Sequence, residues 1–309
     1  MNKTMLALLS AALLTTAAAC QNNSNAQPAA VQLQTAPVQQ PASGDAAKTP
    51  EQSQTAGAGK AAEPAPAKPA GDAGGAAPTT VPTPAQPEKT ALQPAAKLYK
   101  MNPKTYDIVP IDPAAASKNV VLLTFDDGPR NKEVLASILD TLDKHKAKAI
   151  FFVNGYLVKQ KPELLKLIQE RGHAIGNHSW DHIDLKKESK DKVDQQIGDV
   201  QKIVKEVTGS APQFFRPPFG SGSDDVRAKA KQENMLYMTW SNGSLDWEMT
   251  VKKNDPNKVV SNVLGQLRGG SNILMHELPW TAQALDPLLT QLEEKQFGFV
   301  DPHLIDINQ

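Results

Sequence analysis

The sequence is poor in cysteine and has no excess of charge of either sign. Cys20 is the single cysteine among 309 residues, so no disulfide can form within the chain. Lys plus Arg and Asp plus Glu both number 33, and no long basic run occurs. This balance argues against nucleic acid as a partner and is compatible with an uncharged one.

Aromatic residues and arginine are missing from the first third of the chain. No Phe, Trp or Tyr precedes Tyr99, the first arginine is Arg130, and twelve of the 24 prolines lie between Pro28 and Pro94. Such a segment cannot bury enough apolar surface to offset the entropy of ordering it. Residues 20–97 are therefore predicted to be a disordered tether with an r.m.s. span of roughly 50 Å. Residues 98–309 are predicted to form one catalytic domain.

The first nineteen residues have the pattern of an export signal. Lys3 supplies a positive charge, Met5–Leu14 is apolar but too short to span a bilayer, and small residues end at Ala19. Cys20 then resembles the lipid-modified cysteine of bacterial lipoproteins, although Ala17 stands where that motif usually has Leu. Cleavage without lipidation is the alternative. Either pathway predicts an exported protein, and lipidation predicts anchoring to a membrane facing the periplasm or cell wall.

Short apolar runs alternate with helical patterns along residues 120–300, which favours an α/β fold with a parallel sheet. So many repeats predict a closed or nearly closed barrel, whose catalytic residues sit at the C-terminal strand ends. The predicted strands cover 120–125, 149–153, 173–176, 214–215, 235–240 and 273–276. A helix opens at Pro162, and a polar helical stretch covers 186–205.

A metal site is predicted from two clusters of polar residues. Asp126 and Asp127 follow the first strand, where adjacent carboxylates would repel each other unless one meets a cation. His178 and His182 are four residues apart, which we expect to place them on one face of a helical turn. Together with Asp127 they offer two imidazoles and one carboxylate to a single metal. Because Ser179 and not Glu follows His178, Asp126 is the available general base.

Three further segments add a cation, a second carboxylate and another histidine. Arg216, held by two following prolines, is predicted to orient Asp126 through a bidentate contact. Asp246 beside His276 would raise the pKa of that histidine and fix its tautomer, which suits a general acid, while Trp247 supplies an aromatic wall. Three other histidines have no such neighbours in the sequence and are interpreted as structural or solvated: His145, His173 and His303.

These five segments, in this order, resemble the five motifs of the polysaccharide deacetylase family with NodB homology, carbohydrate esterase family 4, over about residues 120–300. The resemblance implies a distorted (β/α) barrel of the NodB-homology type. It implies the following roles: Asp126 as general base, Asp127, His178 and His182 as metal ligands, Arg216 as the residue orienting the base, His276 supported by Asp246 as general acid, and Trp247, Leu274 and the backbone N–H of Phe219 as substrate contacts. Many members have Tyr at position 219 and Asp at position 243, where this chain has Phe and Gly; the second departure affects substrate contacts.

The resemblance implies a metal-dependent hydrolase, acting as a monomer, that removes N-acetyl groups from an N-acetylglucosamine polysaccharide. Peptidoglycan, chitin-like oligomers and exopolysaccharide are all open as substrates. Zn²⁺ is expected from the ligand types, with Co²⁺, Ni²⁺ or Mn²⁺ as alternatives. A glycosidase is a second hypothesis, which consecutive carboxylates pointing apart on a strand would disfavour. A non-catalytic cell-wall glycan-binding protein that retains the fold is a third.

Overall fold

The structure, a computed structural model, describes residues 96–309. The predicted signal peptide, Cys20 and nearly all of the predicted tether lie outside the described residues. Within 96–309, no helix combines the length and the apolar character that crossing a membrane requires.

Ten strands and seven α-helices alternate along the described residues. The strands are β1 Tyr99–Met101, β2 Ile108–Pro110, β3 Val120–Gly128, β4 Ala149–Val153, β5 Ala174–Asn177, β6 Phe214–Phe215, β7 Leu236–Tyr237, β8 Asn242–Gly243, β9 Ser271–His276 and β10 Gly298–Phe299. The helices are α1 Lys132–Lys144, α2 Gly155–Gln160, α3 Pro162–Glu170, α4 Lys190–Thr208, α5 Asp224–Gln232, α6 Pro256–Gly265 and α7 Pro279–Glu294.

The main sheet is parallel and curls into an incomplete barrel. Its strand order is β7-β6-β5-β4-β3-β9-β8, and β10 pairs in parallel with the first residues of β3. Among the described strands, β7 and β8 form no ladder with each other, although only four residues separate them in the chain. The prediction of a distorted, nearly closed (β/α) barrel is confirmed.

The central strands are buried on both faces, because one face meets helices and the other fills the barrel. Along β3, Leu123 and Phe125 pack with α1 and α7, whereas Leu122 belongs to a second cluster inside the barrel. The same alternation places Phe151 of β4 on the helix side and Phe152 inside. This period of two explains why the strands are continuously apolar in sequence.

Three local expectations need correction. Helix α4 begins at Lys190, later than predicted, because the Ser189 side chain caps it by accepting a hydrogen bond from the backbone of Lys192. Strand β7 is two residues long and not six. The antiparallel hairpin of β1 and β2 was not predicted; its Tyr99 forms an isolated parallel bridge with Ile305 near the C-terminus.

Gly176 of β5 is a close-packing position that supports the barrel interior. A Cβ at this residue would lie 2.3 Å from Cδ1 of Phe152. The Phe152 ring in turn lies 4.3 Å from the guanidinium carbon of Arg216. The missing side chain at position 176 therefore makes room for the aromatic ring beneath Arg216.

Gly176→Ala is expected to destabilise the domain by about 1–3 kcal/mol, because the extra methyl group must displace a packed ring. Urea unfolding followed by circular dichroism measures the change. Gly265→Ala is the matched control: its Cβ would meet nothing within 4 Å at the end of α6, so stability should stay equal or rise slightly. Equal midpoints for the two variants would contradict the packing argument.

Candidate active site

The predicted site residues converge at one end of the barrel. Asp126 and Asp127 lie at the end of β3, His178 directly follows β5, Arg216 directly follows β6, and His276 ends β9. Parallel strands bring their C-terminal ends to one edge of the sheet, so residues distant in sequence meet there. Asp246 reaches the same edge just after β8.

Asp127, His178 and His182 form a cluster able to hold a metal ion, and their potential ligand atoms all lie within 4.8 Å of one another. Oδ1 of Asp127 lies 3.4 Å from Nε2 of His178 and 3.1 Å from Nε2 of His182. Nδ1 of His178 lies 2.7 Å from the carbonyl oxygen of Arg216, which only a protonated nitrogen can contact favourably. This contact leaves Nε2 as the ring nitrogen directed at Asp127, and a metal ion would be held through Nε2 of His178 and Oδ1 of Asp127.

The charge states of this cluster suit a cation. Burial raises the pKa of Asp127, but the contact with His178 and the nearby imidazoles outweigh it and hold that pKa well below its usual range. Burial lowers the pKa of His182 to about 4, against the opposing attraction of Asp127. At neutral pH the cluster therefore presents an ionised carboxylate and an uncharged imidazole with a free lone pair. Oδ1 of Asp127 is buried and has no hydrogen-bond donor within the described residues, which also fits a bound cation.

The expectation that the two histidines share a helical turn is wrong. Residues 178–182 form an irregular loop after β5, with positive φ at Ser179 and His182. The Ser179 N–H donates to Oδ1 of Asn177 at 3.0 Å, and the Asn154 side chain donates to the His178 carbonyl at 2.8 Å. These bonds replace helical ones and turn both imidazoles toward Asp127.

The expectation that Asp126 and Asp127 point apart is also wrong. The pairing of β3 with β4 shifts register between Phe125 and Gly128, and Asp127 has φ of 67°. This irregularity breaks the alternation of an extended strand. Both carboxylates consequently approach Nε2 of His178, Asp126 through Oδ2 at 3.7 Å and Asp127 through Oδ1 at 3.4 Å.

Arg216 is fully buried and contacts Asp126, as predicted, but the contact is not bidentate. One guanidinium nitrogen donates to Oδ1 of Asp126 at 2.7 Å and to Oγ1 of Thr124 at 2.8 Å. The other donates to the carbonyl of Thr239 and to Oδ1 of Asn272. Only one carboxylate oxygen of Asp126 is held, because the second terminal nitrogen of Arg216 donates elsewhere and Nε has no acceptor among the described residues. Oδ2 of Asp126 stays turned toward the cluster of Asp127, His178 and His182.

The partly buried His276 and the fully buried Asp246 form an acid–histidine pair. Nδ1 of His276 lies 2.7 Å from Oδ1 of Asp246, and Oδ2 accepts from the His276 backbone N–H and the Thr281 hydroxyl, each at 2.7 Å. Burial lowers the pKa of His276, but the charge and hydrogen bond of Asp246 outweigh it and raise that pKa to about 9. The imidazolium is therefore the prevailing form at neutral pH, with Nε2 left free by the contact of Nδ1.

The three predicted substrate contacts lie around these groups. The Trp247 ring is partly exposed and packs edge-on against His276, with centroids 5.5 Å apart. Phe219 is 62% exposed and meets the His182 ring at 4.7 Å. Leu274 is buried on β9 two residues before His276, and hence on the same face of the strand. A Cβ at Gly243 would lie 3.2 Å from the Trp247 ring.

The remaining histidines lie outside this cluster. His173 is buried, and its Nδ1 accepts from the Ala149 backbone at 3.3 Å, which agrees with a structural role. His145 does have acidic neighbours in space, Asp286 at 2.8 Å and Glu293 at 3.0 Å, because α7 packs beside α1. His303 contacts Asp301 at 2.9 Å.

Glu277 is a buried residue that the sequence interpretation missed. Its Oε1 accepts hydrogen bonds from the backbone of Arg130 at 2.9 Å and of Asn131 at 2.6 Å. Burial raises the pKa of this carboxyl group. Glu277 thus links the end of β9 to the loop that follows Asp127. The sequence feature that could have identified Glu277 is its position immediately after His276, at the end of a predicted strand.

Comparison with known proteins supports the resemblance drawn from the motifs. The family model described as polysaccharide deacetylase matches residues 114–238. The peptidoglycan-N-acetylglucosamine deacetylase PgdA of Listeria monocytogenes is 39% identical over 193 residues, which cover 62% of this chain and 40% of that protein. The chain therefore spans well under half the length of this relative. The peptidoglycan-N-acetylglucosamine deacetylase of Bacillus cereus is 36% identical over 189 residues, covering 60% of this chain and 67% of that protein.

A solved structure gives the same result for the fold. A mutant of BA3943, a family 4 pseudoenzyme with restored enzymatic activity, superposes with a TM-score of 0.56 at 32% identity. The match covers 59% of this chain and 65% of that one. Five sequence motifs, a matching family model and a shared barrel lead to one conclusion: the chain belongs to the polysaccharide deacetylase family, carbohydrate esterase family 4.

Proposed function

We propose that this chain is a metal-dependent deacetylase that hydrolyses the N-acetyl group of an N-acetylglucosamine-containing glycan and releases acetate. The observation that carries the proposal is the position of Asp126. Arg216 holds its Oδ1, while its Oδ2 faces the cluster of Asp127, His178 and His182. A carboxylate oriented beside a cation site in this way is suited to accept a proton from water.

Asp127, His178 and His182 would hold the metal, since two imidazoles and a carboxylate leave coordination positions open. A divalent cation held there would supply Lewis-acid polarisation of the acetamide carbonyl and of the attacking water. Zn²⁺ is proposed as the ion, and the same ligand set also suits Co²⁺, Ni²⁺ or Mn²⁺.

The side chains divide the proton transfers between them. Asp126 accepts a proton from the attacking water as the new carbon–oxygen bond forms at the acetamide carbon. The backbone N–H of Phe219 is proposed to donate to the developing oxyanion. His276, charged and oriented by Asp246, then gives a proton to the amide nitrogen as the carbon–nitrogen bond breaks. The products are acetate and a free amino sugar, and Trp247 and Leu274 are proposed to line the acetyl pocket.

The glycosidase hypothesis is disfavoured because the two carboxylates converge, and not because they point apart as the sequence predicted. Asp126 and Asp127 both approach a single imidazole nitrogen of His178, within 3.7 Å. Two carboxylates that converge on one atom cannot flank a sugar from opposite sides.

A non-catalytic, glycan-binding role is the remaining alternative, and a pseudoenzyme among the structural neighbours gives it weight. Against it, the chain retains every side chain proposed as base, metal ligand or acid, and the proposed base and ligands surround His178, with Asp126 at 3.7 Å and Asp127 at 3.4 Å. In particular, both carboxylate oxygens of Asp246 accept hydrogen bonds, and one of these contacts orients the His276 ring.

Peptidoglycan is the proposed substrate, because the Listeria and Bacillus relatives are named for deacetylation of that polymer. Action on the cell wall places the domain outside the cytoplasm, in keeping with the predicted signal peptide, residues 1–19. Lipidation of Cys20 would anchor it to the membrane through the tether of residues 20–97. We propose that the domain works as a monomer.

Asp126→Asn and His276→Ala are each expected to lower acetate release from peptidoglycan fragments or chitooligosaccharides by about 10²–10⁴-fold. The reason is that each variant removes one of the two proton transfers. Acetate and reducing ends are measured in the same reactions. Near-wild-type acetate release by either variant would refute the assigned role, and reducing ends without acetate would favour a glycosidase.

His182→Ala is expected to weaken Zn²⁺ or Co²⁺ binding by at least about 100-fold, because the cluster loses one of three ligands. Isothermal titration of the metal-depleted protein measures this directly, without reference to activity. His303→Ala, which removes an exposed histidine beside Asp301, is the control and should bind like wild type. Equal affinity in both variants would place the metal elsewhere.

Acetate release is expected to fall as the pH rises through about 9, because the proposed acid His276 must be protonated and its raised pKa sets that limit. In Asp246→Asn the main influence that raises this pKa is lost. The alkaline limb of the pH profile should then move toward lower pH, with a lower plateau. An unchanged alkaline limb in this variant would show that another group controls it.

A further inference from the structure

A basic cleft lies apart from the candidate active site. It is a cavity of about 1000 Å³ between β1 and the loop after it, α5, the start of β7 and residues 307–309. Four cations line it: Lys100, Lys104, Arg227 and Lys231. None of the residues assigned to the active site contributes to its walls.

No acidic side chain of the described residues forms an ion pair with the cations of this cleft. No Asp or Glu lines it, although the chain as a whole carries equal numbers of acidic and basic residues. Within the described residues, none of the four cations forms a salt bridge. Two acids near the cleft in sequence are paired with other partners, Glu233 with Lys229 at 2.6 Å and Asp107 with Arg268 at 3.0 Å. Asp224, one turn before Arg227, attracts it without an ion pair.

One cation of the basic cleft is already oriented for recognition. The guanidinium carbon of Arg227 lies 4.0 Å from the centre of the Tyr237 ring. Contact with the aromatic face orients the guanidinium, and the neighbouring Tyr106 side chain is an uncharged hydrogen-bonding partner. Met101 and Val109 add apolar surface to the same walls. The cleft therefore offers a planar donor, several point charges and a partly apolar floor.

We propose that this cleft binds a soluble ligand bearing two or more phosphate groups. Charges spread over a cavity of this size match several linked anions better than a single one. The planar guanidinium suits the paired oxygens of a phosphate, and lysines serve as additional point charges. This binding function is separate from the deacetylation proposed above and does not depend on it.

Titration with inorganic tripolyphosphate tests the proposal on the metal-loaded protein. The variants K100Q/K104Q and R227Q/K231Q are each expected to raise the dissociation constant at least about tenfold. K118Q/K258Q removes two exposed lysines outside the cleft and should change the dissociation constant less than about twofold. R227K keeps the charge but loses the planar donor, so its affinity for tripolyphosphate should lie between those of wild type and R227Q. Binding should weaken as salt is added.

Three outcomes would overturn the proposal. Equal losses of affinity in the cleft and control variants would show that tripolyphosphate binds through non-specific electrostatic attraction. Wild-type affinity in both cleft variants would place the phosphate at another site, such as the metal. Binding to phosphatidylglycerol vesicles but not to tripolyphosphate would identify a lipid surface instead. Acetate release should be unchanged in all these variants, and thermal unfolding midpoints verify that they fold.

Discussion

The buried ion pair of Arg216 and Asp126 is the interaction on which the rest of the site depends. A guanidinium without solvent contact costs several kcal/mol unless charges and acceptors surround it, and this one is 0% exposed. Asp126, Thr124 and Asn272 supply those acceptors from two neighbouring strands. The backbone carbonyl of the same arginine accepts from His178 and fixes its tautomer. One residue thus orients the proposed base, orients a proposed metal ligand and joins the sheet interior to the site.

Unusual backbone conformations concentrate around this ion pair. Several residues with positive φ and a side chain lie within or next to the site segments: Asp127, Ser179, His182, Phe219 and Leu245. Each such conformation is sparsely populated for an L-residue and persists only where the surroundings impose it. Here the Asn154 side chain donates to the His178 carbonyl, Oδ1 of Asn177 accepts from the Ser179 N–H, and both bonds hold one of the loops. The departure from regular strand and helix geometry is what allows ligands from separate loops to converge.

Buried acids in the domain are stabilised in different ways, and this difference separates their roles. Asp246 has His276 and Thr281 as donors, so its charge serves the imidazole beside it. Glu277, the next residue after His276, accepts from two backbone N–H groups and keeps a second oxygen buried without a donor among the described residues. The first arrangement raises the pKa of the neighbouring histidine. The second ties a loop to a strand, and burial raises the pKa of its carboxyl group.

Residue types and their order along the chain were sufficient to predict the barrel, the strand-end position of the site and the three metal-ligand candidates. They suffice because apolar runs and chemically reactive residues are local properties of a sequence. The sequence could not predict the bulge at Asp127, the loop path between His178 and His182, or the single contact of Arg216 with Asp126. Those features depend on register shifts and on hydrogen bonds between segments distant in the chain, so only the packed tertiary structure decided them.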